Sequence, residues 1–262
     1  MNAYLVSKLS NVLSLCCAIA FGCFGFVSGM SSAFALDLEE NSHQNQNQCV
    51  ILLHGMARTK ASMNKLEEAL KKNNYQVVND GYPSTKHAVE VLAELAIPKA
   101  IETCLQNDKV KKIHFITHSL GGILVRYYLS KHTLDKLGRV VMLSPPNHGS
   151  EVVDTLNKVP GFFALNGPAG LQLGTEENSS VNKLGPVSYE VGVITGNKSV
   201  NLILSTMIPG DDDGKVSLAS AKLEGMADYR VLPHSHPFIM RSQSAINQSL
   251  YFLQNGKFEN GD

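Results

Sequence analysis

The chain has 262 residues, 44% of them hydrophobic, and 23 basic side chains balance 23 acidic ones, for a formal net charge of zero. Such a balance leaves no basic footprint for nucleic acid and no general field to steer strongly charged substrates. Two cysteines beyond residue 35 and no metal-ligand spacing leave no reason to assign a metal or any other cofactor.

The chain opens on an uncharged stretch from Leu9 to Leu36, preceded by Lys8 and containing the apolar run Val12–Met30. Ala33-Phe34-Ala35 ends it before an acidic segment. A basic start, an apolar middle and a small-x-small exit predict a secretory signal peptide over residues 1–35, with cleavage after Ala35. Its apolar length also suits a span, so an uncleaved membrane anchor is the competing reading. In both readings the remainder leaves the cytoplasm, to be periplasmic, secreted or held at the membrane.

Residues 36–48 are polar and lack apolar periodicity, which predicts a tether. The domain is expected to span 49–262, a length that forms one core. It starts with the continuous apolar run Cys49–Leu53, ended by His54-Gly55 and read as a strand buried on both faces. Met63, Leu66 and Leu70 mark a helix, Gln76–Val78 a short strand, and Val89 to Ile101 a helix carrying Pro98. Further strands are predicted at Ile113–Thr117, Val140–Leu143, Val191–Ile194 and Tyr229–Leu232, with helices at Gly122–Leu129 and Ala245–Phe252. Strands alternating with helices predict βαβ units, hence an α/β fold whose sheet of about six strands is mainly parallel, with helices on both faces. Residues 150–186 are weakly patterned and rich in Gly, Pro and Asn, the expected place for a lid. Cys49 and Cys104, carried into an oxidising compartment, are expected to form a disulfide between the entry of the first strand and the end of a helix; two free thiols are the alternative.

Ile113–Tyr128 is the segment that carries chemistry. A buried strand runs into His118-Ser119-Leu120-Gly121-Gly122, and a helix leaves at once. This is the arrangement of a nucleophile elbow, a strained turn that lifts a serine hydroxyl above a sheet. Gly121 and Gly122 meet the need for small residues where strand and helix pass closely, whereas Thr117 stands where Gly is usual. A serine needs a base and an acid to become a nucleophile. The residues that follow offer one of Asp211, Asp212 and Asp213 as the acid and His234 or His236 as the base. The backbone N–H groups of Met56 and Leu120 are expected to form an oxyanion hole. His54 and His118 are read as structural, His148 as shaping a loop, and Arg126 as a structural ion-pair residue. Phe162, Phe163, Leu165 and Leu171 are taken as an apolar lip for an acyl chain, or as cover for the core.

VILLHGM, THSLGGILVR, PPNHGS, DGKVS and HPFIM, in this order, resemble the bacterial triacylglycerol lipase and esterase branch of the α/β hydrolases. The GPI inositol-deacylase-like lipases are similar too. The resemblance covers about Val50 to Phe258. It implies a minimal α/β-hydrolase fold, Asp213 as the acid and His236 as the base. It implies hydrolysis of a small-molecule or lipid ester through an acyl-enzyme, with esterase, lipase, phospholipase and thioesterase activity sharing the machinery. A lipase-like binding protein without activity is the rival from another class. Oligomeric state is not legible.

Overall fold

The computed structural model describes residues 45–260, and the expected signal peptide or anchor, with most of the tether, lies outside them. Six strands form one sheet, β1 (Gln48–Leu53), β2 (Gln76–Val78), β3 (Lys112–His118), β4 (Leu137–Leu143), β5 (Val191–Gly196) and β6 (Asp228–Leu232). Their order is β2-β1-β3-β4-β5-β6, and every pairing is parallel. The described domain starts ahead of Cys49: Gln48 is already paired with Lys112, and the buried Asn45 amide donates to the Asn73 carbonyl at 2.9 Å.

Eight α-helices connect the strands of the described chain: α1 (Asn64–Lys72), α2 (Val89–Leu105), α3 (Leu120–Lys131), α4 (Glu151–Leu156), α5 (Phe162–Leu171), α6 (Leu202–Ser205), α7 (Leu218–Ala221) and α8 (Gln243–Asn255). The apolar runs of the strands are continuous because both faces are covered. In β1, Cys49, Ile51 and Leu53 pack with α2 and α3 on one side, while Val50 and Leu52 face α1 and α8 on the other. Helix α2 turns Val89, Leu92, Ala93, Ile97, Ala100, Ile101 and Cys104 inward at helical spacing, and it continues through Pro98. Cys49 and Cys104 are disulfide-bonded with their Cα atoms 5.8 Å apart, joining the start of β1 to the last turn of α2. Helix α8 is capped at both ends: the Ser242 hydroxyl accepts from Ala245 N–H, and Gly256 takes a left-handed conformation.

Strand order reverses at β1, with β2 on one side and β3 on the other, and the crevice at such a reversal is where open parallel sheets hold ligands. The pairing of Leu53 with Thr117 brings the carboxyl ends of β1 and β3 level there.

Candidate active site

Ser119 follows β3 directly, at φ 52° and ψ −120°, a conformation unfavourable for a residue with a Cβ. The turn is held because Ser119 N–H donates to the Leu143 carbonyl at 2.9 Å, while α3 begins at the next residue. Crowding explains the glycines. A Cβ on Gly121 would lie 2.6 Å from the Leu53 carbonyl oxygen, and one on Gly55 would lie 2.6 Å from Nδ1 of His118. Thr117, in place of a further glycine, is accommodated fully buried, its hydroxyl 3.4 Å from the Val141 carbonyl oxygen.

Of the acids and bases weighed from the sequence, the structure brings Asp213 and His236 to Ser119. Ser119 Oγ lies 3.1 Å from Nε2 of His236, and Nδ1 of His236 lies 2.9 Å from Oδ2 of Asp213. Asp213 is fully buried, and its other oxygen accepts from the N–H groups of Lys215 and Val216 at 3.0 and 2.9 Å. A carboxylate bonded only by donors holds a proton on the facing Nδ1, leaving the Nε2 lone pair for the serine hydroxyl. His236 is tied a second time through its own N–H, which donates to the Asp213 carbonyl at 2.8 Å. The other residues weighed point elsewhere. Asp211 is exposed, Asp212 accepts from the Ser205 hydroxyl and Gly214 N–H, and His234 pairs with Ser244.

Met56 follows β1 and lines the pocket above Ser119, while Leu120 opens α3. Among the described residues neither backbone N–H has a backbone acceptor. The positive end of α3 adds to the field at this point.

His118 stands closer to the chemistry than its position in sequence suggests. Its Nε2 donates to the carbonyl oxygen of His236 at 3.0 Å, the rings are 4.9 Å apart, and it lines the same pocket. Burial drives its pKa well below the ordinary histidine value, with the charge of His236 acting in the same direction, so the ring is neutral. No sequence signal separates this role from an inert core histidine. His54 is structural: its ring stacks on Tyr82 at 4.2 Å, one nitrogen faces the Gly55 carbonyl, and burial keeps its pKa low. His148 is exposed and near Asn182. Arg126 corrects an expectation, since carbonyls hold it and not a carboxylate. Its guanidinium donates to the Asn147 and Gly185 carbonyls at 2.8 and 2.9 Å, stitching α3 to two loops.

The pocket is a cavity of about 70 Å³. Of the expected acyl-lip residues only Phe162 lines it, next to Val152, Val153, Leu173 and Asn166. Phe163, Leu165 and Leu171 are exposed. Helices α4 and α5 occupy the region read as irregular, and α5 is broken at Gly167, where φ is 66° and ψ is −170°. A Cβ there would collide with the Thr85 carbonyl, which only glycine avoids.

Residues 43–194 match the model of the family described as "Putative serine esterase (DUF676)". No curated protein matches the sequence. Among solved structures, the mature lipase BlEst2 of Bacillus licheniformis superposes with a TM-score of 0.60 at 19% identity, over 79% of this chain and 91% of that one. Phospholipase PlaB of Legionella pneumophila gives 0.58 at 21% identity, over 80% of this chain and 59% of PlaB. Lipase B of Aspergillus fumigatus gives 0.59 at 17% identity, over 84% and 55%. This chain thus spans little more than half of the last two, and at these identities the likeness is one of fold.

Proposed function

We propose that this chain, which belongs to the DUF676 serine esterase family, hydrolyses carboxylic esters by two-step acyl transfer, with Ser119 as nucleophile, His236 as general base and acid, and Asp213 as the group that orients His236. One observation carries the reading: the unbroken hydrogen-bonded line from Ser119 through His236 to a fully buried Asp213. Ser119 Oγ attacks the ester carbonyl as His236 Nε2 takes its proton. The tetrahedral oxyanion is received by the N–H groups of Met56 and Leu120. His236 then returns the proton to the departing alcohol, and a water molecule activated the same way releases the acid.

A cavity of about 70 Å³ is small beside ordinary ligand pockets of several hundred Å³, which favours a short acyl group in the conformation described. Longer chains would need α4 and α5 to part, and the exposed Phe163 and Leu165 on α5 suit that movement at a lipid surface. Export is supported by the Cys49–Cys104 bond and the leader-like residues 1–35. No helix among the described residues is long and apolar enough to cross a membrane.

The test is hydrolysis of p-nitrophenyl esters from acetate to palmitate by the full-length protein. Ser119→Ala, Asp213→Asn and His236→Ala are each expected to lower kcat by about a thousandfold or more. Full activity in Ser119→Ala would end the proposal, and a fluorophosphonate that fails to label wild type would return the chain to the binding-protein alternative.

A further inference from the structure

The chain is neutral as a whole, yet its candidate active site is not. Two cations, Arg58 and Lys215, line the pocket that holds Ser119, and no Asp or Glu lines it with them. Both are exposed to solvent at its mouth. Among the described residues neither has a carboxylate within salt-bridge distance. The nearby Asp213 is occupied by His236 and by two backbone N–H groups.

Both cations ride on segments that the site itself uses. Arg58 comes two residues after Met56, in a turn in which its N–H donates to the Gly55 carbonyl at 3.3 Å. Lys215 comes two residues after Asp213, and its backbone is held on both sides: its N–H donates to Asp213 Oδ1, and its carbonyl accepts from the Ser150 hydroxyl at 2.6 Å. Burial is the main cause that lowers the pKa of both His118 and Lys215. Arg58 and Lys215 add to it at His118, and Arg58 adds to it at Lys215, where Asp213 acts in the opposite direction. Two like charges that line one pocket, neither of them in a salt bridge among the described residues, are left for a ligand to neutralise.

We infer that Arg58 and Lys215 form an anion subsite beside Ser119, which selects acyl esters bearing an oxyanion, phosphate or carboxylate, close to the scissile bond. The inference rests on the ester-hydrolase reading and names the substrate class of that same site. An uncharged triglyceride or simple alkyl ester leaves both cations unmet. An acyl glycerol phosphate satisfies them while its carbonyl lies at Ser119.

The full-length protein is tested on 1-butyrylglycerol, 1-butyrylglycerol 3-phosphate and the butyryl ester of glycolic acid. All three share an acyl group, and the two charged esters separate phosphate from carboxylate as the source of the anion. Expected is a kcat/KM at least about tenfold higher for one or both charged esters at low salt, falling as ionic strength rises. The readout in Arg58→Gln and Lys215→Gln is the charged-to-neutral ratio, which should drop by about tenfold in each. A wild-type ratio of one or less, or a ratio unmoved in both variants, overturns the inference while leaving ester hydrolysis standing. Calorimetry on full-length Ser119→Ala supplies an arm independent of turnover. Butyl phosphate should bind at least about tenfold more tightly than 1-butanol, and lose that margin when Arg58→Gln is added; equal affinities overturn the inference even if no ester is ever cleaved.

Discussion

His114 shows how one buried side chain sets a pH limit. In the centre of β3 its Nδ1 accepts from Arg139 N–H at 2.8 Å and its Nε2 donates to Gln48 at 2.7 Å, a pattern that only the neutral ring satisfies. Burial, with Lys112 and Arg139 nearby, lowers its pKa to about 4 from 6.5. The unfolded chain therefore binds a proton between pH 6.5 and about 4 that the folded chain refuses, so stability falls as pH falls through that window. The loss reaches about 3 kcal/mol at its end. His114→Phe should flatten the slope of unfolding free energy against pH between 6.5 and 4, measured by urea titration; an unchanged slope would remove His114 as its cause. Gly121 sets a steric limit instead. Gly121→Ala puts a methyl group 2.6 Å from the Leu53 carbonyl oxygen, at an expected cost of about 1–3 kcal/mol. Fluorophosphonate labelling of Ser119 should slow with it, because relief of the clash moves the elbow.

At the scale of elements, the central strands are legible as short apolar runs bounded by turn residues, the outer β2 and β6 less so because they carry polar residues, and all six predicted strands are present. What stayed hidden was whatever depends on residues far apart in sequence. Asp213 and Asp212 are neighbours in one turn, and nothing local distinguishes the carboxyl facing His236 from the one facing Ser205. The contact of His118 with the His236 carbonyl spans 118 residues and has no signature in either segment. The charge of Arg126 is visible in sequence and points to an ion pair, whereas the carbonyls of Asn147 and Gly185 that hold it leave no mark there. The disulfide belongs to this scale. It closes a separation of 55 residues between β1 and α2, which chain-entropy reasoning makes worth about 4 kcal/mol. Reduction, or Cys104→Ala, should lower the melting temperature while leaving kcat for short esters unchanged. Cys49 lies at the opposite end of β1 from Gly55 and Met56, so a fall in kcat without a fall in melting temperature would contradict that separation of roles.

Across the whole molecule the sheet has two outer strands, and they are guarded differently. On one side β2 is only three residues long, too short to template another strand. On the other, β6 carries Asp228 and Arg230, and both hold the end of the described chain: Asp228 accepts from Phe258 N–H at 2.7 Å, and Arg230 donates to the Glu259 carbonyl at 2.6 Å. Phe258 is buried against Phe252, their rings 5.0 Å apart. Colloidal behaviour and not catalysis should thus be the first property to suffer when this tail is lost. Chains ending at Gly256 would leave an apolar socket beside an outer strand, with two charged side chains deprived of their partners. Such chains are expected to self-associate, visibly in light scattering, at concentrations where the intact protein stays dispersed. Six C-terminal residues with no part in ester cleavage would in this way govern how concentrated the protein can become.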